Sequence, residues 1–176
     1  MHVAVTAVGA DRPGIVAAVT SVLFDVGANI EDSRSATLGG HFAMMLIVSL
    51  PQTVAHEDLE RRLGEHARAH DLLVSVRPVE ETAADHIAGI DHVISVYGAD
   101  HPGIVARVSG FLAERGVNIR DLATHVVPGD PPVYVMLLEV TVAQDTDPDA
   151  LRSGLEGLAS ELSVEISLRP AEPETL

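Results

Sequence analysis

The stretch GADRPGIV at residues 9–16 returns as GADHPGIV at residues 98–105, with seven of its eight residues in the same order 89 positions later. Each copy ends an apolar run on glycine and then brings an acid, a base, a proline and a glycine together. The repeat extends outward on both sides. GANIED at 27–32 recurs as GVNIRD at 116–121 at the same offset, while FAMMLIVSLP at 42–51 matches YVMLLEVTVA at 134–143 at an offset of 92. The three extra residues fall where turn chemistry is dense, LGGH at 38–41 against PGDPP at 128–132, as expected of a hairpin loop that varies without disturbing its strands. LLVSVRP at 72–78 and LSVEISLRP at 162–170 close the two copies with the same Arg-Pro.

The periods within a copy alternate. Residues 2–8 read as a short apolar strand, and Ile15, Val16, Val19, Leu23 and Val26 follow helical spacing up to a stop at Gly27. Strands at about 29–37 and 41–50 follow, joined by Gly39 and Gly40, then a helix over 54–69 and a strand over 72–78. The second copy gives strands and helices at about 92–98, 102–115, 118–127, 133–143, 148–160 and 162–169. The expected fold class is α+β, two ferredoxin-like βαββαβ domains in tandem, packed as one unit because each half alone has little core. The expected organisation is domain 1 at 1–78, a polar linker VEETAADHIAGID at 79–91, domain 2 at 92–170 and a tail at 171–176.

Composition narrows the function. With a net charge of −15, 11 arginines and no lysine, the chain has one dense basic spot, Arg61, Arg62 and Arg68, and that spot is interleaved with Glu57, Asp58, Glu60 and Glu65. Nucleic-acid binding needs clustered cations, so no direct nucleic-acid contact is expected. Three Phe, two Tyr and no Trp give no platform for stacking bases. The absence of lysine excludes a Schiff base and a P-loop, and the absence of cysteine excludes disulfides and thiol chemistry. No apolar run approaches the ~20 residues of a membrane helix and no basic region precedes an apolar leader, so neither a membrane partner nor a secretory signal is expected, and the expected location is cytoplasmic.

The repeated loop is the candidate site. Pro13 and Gly14 at the head of a helix leave the N–H groups of Gly14, Ile15 and Val16 without intrahelical partners, an arrangement that favours an anion. Asp11 beside them offers a carboxylate to an ammonium. An anion on the helix and an ammonium on Asp11 together describe an α-amino acid. The same residues also suit a plain helix start, with Asp11 as cap and Pro-Gly as turn, and Asn29 and Asn118 suit a left-handed turn after a helix-ending glycine. His66 and His70 are one turn apart with Asp71 adjoining, but no third ligand shares the spacing, so surface histidines and no metal site are expected. No nucleophile elbow occurs, so no catalytic residue and no cofactor are assigned.

Residues 11–51 resemble the ACT domain, and most of all the glycine cleavage system transcriptional repressor group and the N-terminal domain of formyltetrahydrofolate deformylases. The resemblance rests on Asp-x-Pro-Gly followed by Gly-x-Asn-Ile, present as Asp11, Pro13, Gly14, Gly27, Asn29 and Ile30, and again as Asp100, Pro102, Gly103, Gly116, Asn118 and Ile119. It implies a non-catalytic amino-acid sensor acting through a regulator protein, or else the regulatory subunit of an amino-acid or one-carbon enzyme. It further implies domains paired side by side, between copies or between chains of a homodimer. The ligand, glycine or serine, would lie between the loop of one domain and the Asn of its neighbour. The binding residues carried over are Asp11, Arg12, Pro13, Gly14, Ile15, Asn29 and Ile30 in the first copy. Those of the second are Asp100, His101, Pro102, Gly103, Ile104, Asn118 and Ile119. Arg12 becomes His101 in the second copy, so the two sites need not bind alike.

Overall fold

Strict alternation decides the first strand: in β1 (His2–Ala10) the side chains of Val3, Val5 and Ala7 are buried while their neighbours face outward. The computed structural model describes residues 1–79 and 89–171, and the chain divides into two units, Met1–Ala84 and Asp85–Leu176. In the first unit β1 is followed by α1 (Ile15–Asp25), β2 (Asn29–Leu38), β3 (His41–Ser49), α2 (His56–Ala67), a single 3-10 turn at Arg68–His70 and β4 (Leu72–Val79). In the second, β5 (Gly89–Gly98), α3 (Ile104–Ala113), β6 (Asn118–Val127), β7 (Val133–Ala143), α4 (Pro148–Leu162) and β8 (Val164–Pro170) repeat the order.

Each unit is therefore βαββαβ with one antiparallel sheet, ordered β2-β3-β1-β4 in the first and β6-β7-β5-β8 in the second. This is the expected ferredoxin-like class. The buried rows of β1 and β3 (Phe42, Met44, Leu46, Val48) meet Ile15, Val19, Val22 and Leu23 of α1 and Leu59 and Leu63 of α2 in one core. The second core sets Ile94, Val96, Met136, Leu138 and Val140 against Ile104, Val108 and Leu112 of α3 and Leu151, Leu155 and Leu158 of α4. Each such aliphatic side chain contributes about 1.5–3 kcal/mol on burial, so each unit has its own source of stability.

Several boundaries differ from the sequence expectation. Helix α3 starts at Ile104 rather than 102, because Gly103 takes φ +102° and closes the turn in a conformation no helix continues. Strand β5 starts at Gly89 rather than 92, and Val79 belongs to β4, so both ends of the segment read as linker are strand; residues 80–88 lie outside the described residues, as do 172–176 of the tail. Two side chains that sequence patterns do not connect hold the early start of β5: Thr141 Oγ1 donates to Asp91 Oδ1 at 2.8 Å, and Arg120 pairs with the same carboxylate.

Candidate functional site

The loop between β1 and α1 is shaped by glycines at its two ends. A Cβ at Gly9 would come within 2.6 Å of the Asp71 carbonyl oxygen, so only glycine lets β1 finish against the start of β4, and at Gly98 a Cβ would come within 2.7 Å of Val164 Cγ1 and 3.1 Å of its Cα. At the other end Gly14 has φ +97° and faces open space, with nothing within 4 Å of the position a Cβ would take. Between them the Asp11 amide donates to the Gly40 carbonyl at 2.9 Å, which fixes the loop to the β2–β3 hairpin.

Residue Gly14 precedes the helix, and the first intrahelical bond runs from the Ala18 amide to the Gly14 carbonyl at 2.8 Å. The amides of Ile15, Val16 and Ala17 therefore have no intrahelical acceptor. No side chain caps them: Asp11 is not a cap, so its capping role is not what the loop is built around. The Asp11 carboxylate and the Arg12 guanidinium are both exposed and make no side-chain hydrogen bond or ion pair among the described residues. Both line a cleft of about 610 Å³ together with Pro13, Gly14, Val16 and Phe42. Ile15 and Ile104 are only 2% exposed and belong to the cores, so what they can offer a ligand is backbone N–H.

Asn29 and Ile30 line a second cleft, of about 600 Å³, with Phe24 and Ala28. Ala17 and Thr20 border both clefts, so the loop and Asn29 lie along one exposed side of α1 without meeting in a single pocket. Asn29 opens β2 opposite Ser49, and Asn118 opens β6 opposite Thr141. Neither is left-handed; that conformation falls on Gly27 and Gly116, so the turn does not require the asparagines.

The second copy has the same loop with different chemistry. Gly103 at φ +102° again precedes the helix, and the Arg107 amide donates to its carbonyl at 2.9 Å. His101, however, is engaged. Its Nε2 lies 2.9 Å from the Leu162 carbonyl oxygen at the end of α4, and its Nδ1 lies 3.3 Å from that of Pro102. These contacts, the one to Leu162 foremost and then that to Pro102, hold the imidazole above its ordinary pKa; partial desolvation opposes them and the nearby Asp100 carboxylate adds to them. Tyr134, at the position of Phe42, is 8% exposed, and burial, with the charge of Asp100 behind it, raises its phenol while a hydrogen bond with Thr124 lowers it.

Elsewhere the charged clusters are satisfied locally. Arg61 and Arg62 on α2 are paired with Asp58 and Glu65, which holds the Asp58 carboxyl below its usual value. His66 Nδ1 contacts the Arg62 carbonyl oxygen one turn back at 3.1 Å, and His70 stands in the 3-10 turn rather than on the helix. Among the described residues no group of three or more His, Asp or Glu side chains is arranged to hold a metal ion, and no helix is long and apolar enough to cross a membrane.

Two βαββαβ units, each with a glycine-flanked acidic loop ahead of its first helix, are ACT domains: models of the ACT domain match residues 1–77 and 92–152. The chain belongs to the ACT-domain family and carries two of them in tandem. Over 175 residues it is 28% identical to the glycine cleavage system transcriptional repressor of Escherichia coli, covering 95% of this chain and 88% of that protein. A UPF0237 protein of Streptococcus pneumoniae is 35% identical over 79 residues, 45% of this chain and 86% of that protein, and so corresponds to one copy. The crystal structure of an unknown protein from Galdieria sulphuraria superimposes with a TM-score of 0.81 at 28% identity, covering 97% of this chain and 98% of that one.

Proposed function

We propose that this chain is a non-catalytic, cytoplasmic amino-acid sensor that works by binding a regulator protein. The observation that carries the reading is the pair Asp11 and Arg12, a carboxylate and a guanidinium left without side-chain partners on a cleft into which the first turn of α1 can direct unpaired amides. Asp11 would receive the ammonium of an α-amino acid, and Arg12 with the Ile15 and Val16 amides its carboxylate. Asp100, Pro102 and Gly103 repeat that frame in the second copy. Asn29 and Asn118, with Ile30 and Ile119 beside them, would complete a site from a neighbouring ACT domain, on the exposed side of α1. The first copy runs through β4 to Val79 and the second from β5 at Gly89. Glycine and serine are the first ligands to try, because the full-length relative is a repressor of the glycine cleavage system.

A sensor of a metabolite responds near cellular concentrations, which sets an expected Kd of about 1 μM to 1 mM. At one hundred times Kd the ligand stabilises the folded state by ~2.7 kcal/mol, or about 5–10 °C in Tm. A thermal-shift and calorimetric screen of the common amino acids tests this. No shift with any of them at saturating millimolar concentration would overturn the sensing role. Copurification with a metabolic enzyme rather than a transcription regulator would move the assignment to an enzyme's regulatory subunit.

A further inference from the structure

We propose that His101 is a protonation-controlled latch that holds the second copy's loop against the end of α4, leaving the first copy's loop as the one open to a ligand. The geometry is specific. Both ring nitrogens of His101 face carbonyl oxygens, Leu162 at 2.9 Å and Pro102 at 3.3 Å, and a carbonyl oxygen only accepts. The doubly protonated ring donates to both, whereas a neutral ring has one proton and must give up one contact. Leu162 is the last residue of α4, and Ser163 after it turns left-handed at φ 53°. A helix end of this kind has carbonyl groups without intrahelical donors and a partial negative charge that favours a cation. The imidazolium supplies both the donor and the charge.

The surrounding charges act in the same direction or are taken up. Asp100 on the loop itself favours the protonated ring. Glu161 on α4 is paired with Arg107 of α3. On β7, Tyr134 is uncharged near neutrality, its phenol being raised further by burial. Glu165 on β8, opposite Tyr97, is exposed to solvent. In the first copy a backbone bond ties the loop to the β2–β3 hairpin, Asp11 amide to Gly40 carbonyl, but no side chain ties it to a helix end: Arg12 has no side-chain partner among the described residues and lines the open cleft. Arginine stays charged throughout the physiological range, so that loop has no comparable response to pH.

The assignment of the open loop rests on the amino-acid reading above; the latch does not, and it is read without ligand. In the full chain, nuclear magnetic resonance follows the nine imidazoles from pH 5 to 9 together with amide exchange at residues 100, 101 and 103, corrected for the intrinsic rate. The expected result is a His101 midpoint above the ordinary imidazole value. Loop protection should fall by about tenfold, the scale of one hydrogen bond to a charged group, through that midpoint. In His101→Gln, which retains one donor and cannot titrate, protection should be flat with pH. Flat protection in the unsubstituted chain, or a step that persists in His101→Gln, overturns the latch. Calorimetry at pH 6 should give one amino acid per chain, and two equal sites there overturn the division between the copies. Absence of binding by every amino acid overturns the sensing reading instead, while the exchange data still decide the latch.

Discussion

His101 and Leu162 are 61 residues apart in sequence and 2.9 Å apart in space, imidazole Nε2 to carbonyl oxygen, so the second copy's loop is fastened to the last turn of α4. At the corresponding place in the first copy Arg12 is unattached among the described residues. One substitution within the repeat thus separates a loop whose basic side chain is tied to a helix end from a loop whose basic side chain faces a cleft. The two differ in where the basic side chain goes: the second sets an imidazole against a helix end, and the first leaves a guanidinium facing a cleft.

This difference predicts a pH dependence of stability. The folded-state pKa of His101 is raised above its unfolded value, so the stabilisation it contributes is fully present below the ordinary imidazole value and is lost as pH rises through the folded one. Thermal unfolding of the parent chain and of His101→Gln should differ most near pH 5.5 and converge toward pH 8.5. A difference that grows with pH would contradict the contact.

The glycines of the loop should divide by mechanism. At Gly14 a Cβ meets no atom, so Gly14→Ala yields a folded protein that loses about 1–2 kcal/mol from its left-handed backbone alone. At Gly9 the obstruction is the Asp71 carbonyl, a backbone atom in the β1–β4 ladder, so Gly9→Ala should cost more than Gly14→Ala. Denaturant midpoints of the two variants check the order, and the reverse order would show that β4 yields more readily than the ladder implies.

The fold was legible because the sequence states it twice, and the three-residue change of offset marks the β2–β3 and β6–β7 hairpin turns. The loop was legible as a repeated feature for the same reason. Features that depend on long-range partners were not. Nothing in VEETAADHIAGID marks Asp91 as the residue that Thr141 and Arg120 hold in β5, since those partners lie 50 and 29 residues away. The role of Asp11 was ambiguous because an acid ahead of a helix suits capping as well as binding; the backbone, with Gly14 preceding the helix and no side-chain cap, removes the capping role. Asn29 was ambiguous in the same way until Gly27 proved to be the left-handed residue.

The open side of α1 carries its own prediction. Phe24 is 82% exposed beside Asn29, and every residue of the edge strand β2 is exposed. Such a flank suits pairing with another ACT domain, and self-association through it is the expected outcome. Phe24→Ser should leave Tm nearly unchanged, since the side chain contributes little to the core, while weakening self-association in sedimentation equilibrium. A large loss of Tm, or association unaffected by the substitution, would place the pairing surface elsewhere.

Asp11 provides the sharpest separation of sensing from folding. Because its carboxylate neither caps α1 nor pairs with another side chain among the described residues, Asp11→Ala should change stability by no more than about 0.5 kcal/mol, the range of ordinary surface substitutions. On the amino-acid reading the same change removes the partner of the ligand ammonium. A hydrogen bond to a charged group contributes about 1.5–3 kcal/mol, so Kd for the best amino acid should weaken by at least about tenfold. Arg12→Gln should produce a comparable loss through the carboxylate end, and Arg12→Lys a smaller one, since an ammonium keeps the charge but not the planar fork. Asp100→Ala serves as the comparison in the second copy: while His101 is protonated it should leave the first site's affinity unchanged. Calorimetry on these four variants at pH 6, alongside thermal unfolding, gives both quantities. Unaltered affinity in Asp11→Ala and Arg12→Gln would remove the first loop from ligand binding, whatever their stability.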